Sequence, residues 1–136
     1  MSSLKRKHLL NIAAASFIVV FFISSAFAQS AERGKILYTK YCSTCHGVDG
    51  KGEGTAAIYL NPKPRDFTRS IFKFQSTPVG GLPADEDLHR TVKNGMPGSA
   101  MPAWDRLTDQ QRSDLIAYIK SFSERFKTDK PTDVLT

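Results

Sequence analysis

The chain has 136 residues and a formal net charge of +6, a length that one compact domain fills without room for a second. Lys5, Arg6 and Lys7 belong to the first 28 positions, which hold no acidic residue, so 16 basic residues face 13 acidic ones in the remainder. That remainder, at +3, lacks the clustered Lys/Arg face needed to neutralise a phosphate backbone, which argues against nucleic acid as a partner.

The first element in chain order reads as a targeting segment. Lys5, Arg6, Lys7 and His8 form a basic start, Leu9 to Ile23 is mostly apolar, and Ala26-Phe27-Ala28 is a small-residue cleavage pattern. Residues 1–28 are therefore expected to be a secretory signal peptide, cleaved after Ala28. The apolar stretch covers 15 residues, short of the about 20 that a bilayer-spanning helix needs. An uncleaved membrane anchor is the alternative. Either way the folded domain, residues 29–126, is expected in the periplasm or otherwise outside the cytoplasm.

A helix is predicted from Ala31 to Tyr41, where Leu37, Tyr38 and Tyr41 recur with helical spacing between charged residues. Gly34 lies inside it. Glycine there lowers helix propensity, so its place points to close approach by another helix. Cys42-Ser43-Thr44-Cys45-His46 follows at once. Two thiols three positions apart lie on one side of a helical turn and reach two points on the edge of a flat macrocycle, and the adjacent histidine supplies a nitrogen to the metal at its centre. This is the attachment signature of c-type haem, with two thioether bonds and one axial imidazole. A thioredoxin-like redox pair would want a βαβ surround, and a structural zinc site would need two further Cys or His ligands.

Gly47 to Gly54 carries alternating glycines but no Gly-Lys-Ser/Thr ending, so a tight turn over the haem edge is expected in place of a phosphate loop. From Asn61 to Pro83 the chain is broken by Pro62, Pro64, Pro78 and Pro83 and reads as irregular, with one short extended piece at Ile71 to Gln75. Phe67, Phe72 and Phe74 give this stretch the bulk to cover a haem. Arg65, ahead of Arg69, is a candidate partner for the propionates.

Asp85 is expected to cap a helix through Asn94, with Leu88 and Val92 on its apolar side and Gly95 as its stop. His89 lies on that helix and is a conceivable second axial ligand. Asn94 to Trp104 then offers two methionines, Met96 and Met101. A thioether in a proline-flanked loop can bind iron opposite an imidazole and raises the reduction potential. Met101 is preferred, because Met96 is tied to the helix stop, whereas small residues precede Met101 and Pro102 stiffens the chain after it. The last helix opens on a capping box, Thr108 and Gln111, and buries Leu115, Ile116, Ile119 and Phe122. It is expected to end between Phe122 and Arg125, with 127–136 a polar tail that frays.

Gly34 and Tyr38, the run Cys42 to Gly47 with Asp49-Gly50-Lys51-Gly52, Met101-Pro102-Ala103-Trp104, and a final helix with Ala117-Tyr118-Ile119 together resemble the class I c-type cytochromes, from about Ala31 to Phe122. The resemblance implies an all-α cytochrome c-like fold of about three to four helices around one covalently bound haem c. In it the first and last helices cross at Gly34, near Ile116 or Ile119, and the haem is attached at Cys42 and Cys45 and ligated by His46 and Met101. It also implies a backbone partner for the histidine, at Pro62 or Pro64. The function implied is the shuttling of single electrons between redox donor and acceptor proteins, some of them membrane-bound. No enzymatic step is indicated.

Overall fold

The computed structural model describes residues 29–129, 133 and 135; the expected signal peptide, residues 1–28, lies outside them. Among the described residues there are helices and no strands: α1 (Ala31–Tyr41), α2 (Ser43–His46), a 3-10 turn (Ala57–Tyr59), α3 (Asp85–Asn94), α4 (Asp109–Lys120) and α5 (Arg125–Thr128). The architecture is all-α, as expected. Three helices carry the fold, and α2 and α5 are single turns.

Each long helix starts from a local signal. The Ser30 side chain accepts the Arg33 N–H at the head of α1. At α4 the capping box forms in both directions, Thr108 Oγ1 accepting from Gln111 N at 3.2 Å and Gln111 Oε1 from Thr108 N at 2.8 Å. Helix α3 departs from expectation: Asp85 is its first residue and Ala84 its N-cap. Asp87 does the capping by reaching back to the Ala84 N–H at 3.2 Å, while Asp85 binds Lys120 of α4 at 2.6 Å.

Asp87 is fully buried and accepts two further bonds from Ser76, at 2.8 Å from its N–H and 2.9 Å from its hydroxyl, besides one from Arg90. Those bonds tie the irregular middle of the chain to α3. The extended piece expected at Ile71 to Gln75 forms no strand, since no neighbouring segment pairs with it. At the other end α4 stops at Lys120, two residues earlier than expected. Lys127 belongs to α5 instead of opening a frayed tail, and the Leu135 N–H reaches the Ser76 carbonyl at 2.8 Å.

The core is Tyr38 of α1, Phe67, Leu88 and Val92 of α3, Leu107, and Leu115, Ile116 and Ile119 of α4. Helices α1 and α4 cross at Gly34, where a Cβ would stand 1.9 Å from the Asp114 carbonyl oxygen and 2.9 Å from Tyr118 Cβ. The crossing is the expected one, but its contact is Asp114 and Tyr118. Ile116 and Ile119 are turned into the core instead, being 0% and 6% exposed.

An ion pair closes the same crossing. Asp114 accepts from Arg33 Nε at 2.6 Å and Nη2 at 2.9 Å, from Ser30 N at 2.8 Å and from Gln110 Nε2 at 3.0 Å. Burial favours the neutral acid, yet these bonds outweigh it and hold the carboxyl below its ordinary value. A carboxyl depressed in the folded state stabilises above its unfolded pKa of about 3.9, and that contribution is lost as pH falls through the folded value. Asp114→Asn is therefore expected to lower the denaturation midpoint at neutral pH and to flatten its fall below about pH 4. Parallel wild-type and variant curves down to about pH 2 would show that Asp114 is not one of the carboxylates that set acid stability.

Candidate haem site

Helix α1 runs into the Cys-Cys-His turn without a break in hydrogen bonding. The Cys42 N–H returns to Tyr38 O at 2.8 Å, and the Cys45 and His46 N–H groups return to Cys42 O at 3.1 and 2.9 Å. One turn of helix thus brings Cys42, Cys45 and His46 to the wall of a single cavity of about 300 Å³.

The glycine run supports this turn from behind. Gly52 N–H donates to His46 O at 2.8 Å, Gly54 N–H to Cys45 O at 3.1 Å, and the buried Tyr38 hydroxyl to Gly47 O at 2.6 Å. A Cβ on Gly54 would stand 2.2 Å from Thr44 O, so this backbone approach admits no side chain. None of residues 47–54 lines the cavity. The expected turn over the haem edge is instead a brace on the far side of α2.

His46 Nδ1 lies 2.9 Å from the Arg65 carbonyl. A carbonyl only accepts, so Nδ1 carries the proton and Nε2 keeps the lone pair that a metal needs. Burial pulls the imidazole below its usual pKa, against the opposing pull of that hydrogen bond, which favours the neutral, ligating form at pH 7. Phe67 stacks on the ring at 4.4 Å between centroids. The backbone partner is therefore Arg65, whereas Pro62 or Pro64 was expected; both prolines line the cavity, and the Pro64 carbonyl is pressed toward Gly52 instead. Burial first, and then the neighbouring Cys45, push the Cys42 thiol up to about 12. The two cysteines are not joined in a disulfide.

Leu88, Val92, Met96 and Met101 line the same cavity. The methionine loop is closed by its own bonds: Met96 N–H to Met101 O at 3.1 Å, Ser99 N–H and Oγ to Met96 O at 3.0 and 2.8 Å, and Met101 N–H to Ser99 Oγ at 3.2 Å. Met101 packs against the buried core cluster. Phe67, Phe72 and Phe74 all line the cavity, Phe74 while half exposed, as does Arg65. Arg69 does not. His89 is also absent from the lining, its Nε2 lying 3.1 Å from Ser113 Oγ of α4.

The apolar lining, one neutral imidazole, two adjacent thiols and two thioethers suit a flat, covalently held iron macrocycle. One contribution escaped the sequence reading, the Arg65 carbonyl, which left no local signal.

Such a helical fold around such a cavity defines a class I c-type cytochrome, whose cofactor is covalently bound haem c. The chain belongs to the family described as cytochrome c oxidase, cbb3-type, subunit III, whose model matches residues 29–119. It is 34% identical over 116 residues to cytochrome c55X of Stutzerimonas stutzeri, covering 81% of each chain. With the cbb3-type cytochrome c oxidase subunit CcoP of Azospirillum brasilense it shares 30% identity over 106 residues, 77% of this chain and 32% of that one. Among solved structures, it is similar to a chain of the Kuenenia stuttgartiensis reducing HAO-like protein complex Kustc0457/Kustc0458, with a TM-score of 0.76 and 44% identity. That match covers 79% of this chain and 49% of the other, so the chain spans about half of that solved structure's length. The protein is an electron-transfer haem protein.

Proposed function

We propose that this chain is an exported monohaem cytochrome in which Cys42 and Cys45 hold the haem by thioether bonds and His46 and Met101 are the axial ligands. Residues 1–28 direct export, 29–126 form the cytochrome domain, and the electron passes between a donor and an acceptor outside the cytoplasm. The observation that carries this reading is that His46, with Nδ1 committed to Arg65 and Nε2 left basic, shares one cavity with Met101.

When bound, haem c supplies a one-electron ferric/ferrous couple. The chain's own residues do the rest. His46 is oriented by Arg65 and Phe67, the phenylalanines line the cavity, and Met101, in the wall of the same cavity, would supply the second ligand. With His46 and Met101 both holding the iron, no coordination site would be left for a substrate, and the protein would act as a carrier and not an enzyme. No described helix is long and apolar enough to cross a membrane.

A second reading has one observation behind it: the similar solved chain sits in a named complex. The same domain would then relay electrons as a fixed subunit, and copurification of a partner after mild extraction would reveal it. For the main reading, the intact mass of the exported protein is expected to equal the chain from Gln29 plus one haem. A mass equal to the bare chain with a Cys42–Cys45 disulfide would sink it.

A further inference from the structure

Arg112 is a charged side chain on the buried face of α4 and is only 4% exposed. Burying a guanidinium to this extent is unfavourable unless its N–H groups meet acceptors. The acceptors come from a loop. Nη1 donates to the carbonyls of Trp104 at 3.2 Å, Asp105 at 3.4 Å and Leu107, and Nη2 pairs with Asp109. The Asp109 carboxylate is 90% exposed, so that pair sits at the solvent edge and contributes little. The buried acceptors are the loop carbonyls.

These carbonyls belong to the segment that leads from Met101 into α4. Residues 101–107 form no helix or strand, so the segment is held by its fastenings to other elements. Trp104 is gripped from two sides: its N–H donates to Val92 O of α3 at 3.1 Å, and its carbonyl receives Arg112 of α4. Its ring lies against Tyr41 at 5.0 Å between centroids. Only Pro102 and Ala103 separate that anchor from Met101. A planar guanidinium suits the task, because its fork serves several acceptors at once, whereas a lysine ammonium is a point charge.

We propose that Arg112 is a positioning residue for the methionine ligand: by fastening the Trp104, Asp105 and Leu107 carbonyls to α4, it keeps Met101 in the wall of the cavity it shares with His46. The proposal rests on the reading of Met101 as axial ligand. It confines the effect to the methionine side, since Arg112 makes none of the contacts that orient His46 or support the cysteines.

The test uses ferric holoprotein of the wild type, Arg112→Met and Arg112→Lys. Imidazole is titrated against the weak long-wavelength band that sulfur bound to iron produces, and far-ultraviolet circular dichroism is recorded on the same samples. Arg112→Met is expected to lower the apparent imidazole dissociation constant about tenfold, equivalent to about 1.4 kcal/mol, with helix content and haem content unchanged. Arg112→Lys should shift the same way by a smaller step. If Arg112→Met, or Arg112→Lys should the former not fold, binds imidazole as the wild type does, the proposal is overturned while Met101 ligation stands. A wild type without the band removes the Met101 reading and this proposal together.

Discussion

Replacing Met101 with alanine is expected to abolish the long-wavelength sulfur-to-iron band of the ferric protein and to lower the reduction potential by on the order of 0.1 V, within the about 0.8 V over which axial ligands move haem potentials. A thioether is soft and neutral and favours the ferrous state, so its loss shifts the couple toward the ferric form. Met96 is the control. Both sulfurs belong to residues that line the cavity, but Met101 packs against the buried core and leads through Pro102 into the segment anchored at Trp104. Met96 follows directly on the end of α3 and spends its backbone closing the loop. Met96→Ala should therefore keep the band and most of the potential. The opposite pattern would transfer the ligand role to Met96. His89 is the weaker alternative, because it is committed to Ser113 and stands outside the cavity lining.

The largest expected loss of stability is at the helix crossing. Gly34→Leu should lower the denaturant midpoint by an amount equivalent to about 1–3 kcal/mol or more, the usual range for overpacking. Two effects compete there. Relieving a helix of glycine gains up to about 1 kcal/mol in propensity. Against it, even the first added carbon would stand 1.9 Å from the Asp114 carbonyl oxygen and 2.6 Å from its carbon, both backbone atoms. Neither can rotate away as a side-chain end would. Helices α1 and α4 must separate, and their separation also stretches the Arg33–Asp114 pair on the same residue. Gly34→Ala should show the same sign with a smaller magnitude. A midpoint unchanged or raised in either variant would mean that propensity wins and the helices are not in close contact at this point.

Where sequence reasoning succeeded or missed follows the range of the interactions involved. Cys42 to His46, the Thr108–Gln111 box and the apolar periods of α1 and α4 are codes written within a few residues, and the structure returns them where they were read. Helix α3 shows the limit of such codes. Its capping acid is Asp87 rather than Asp85, because Lys120 and Ser76, distant along the chain, compete for the two side chains.

By itself the sequence determined the chemistry: two thiols and an imidazole in one helical turn, a methionine loop between two helices, and an apolar stripe on the last helix. Only the tertiary structure decided which atoms meet across the fold. It paired His46 with the Arg65 carbonyl, set Gly34 on Asp114 and Tyr118, and turned the glycine run behind α2. It also set His89 against Ser113 of α4, outside the cavity lining. The physical reason is common to these cases. A backbone carbonyl is present at every residue and carries no mark in the sequence, so its role depends on where the chain passes and on which donor is left without another partner.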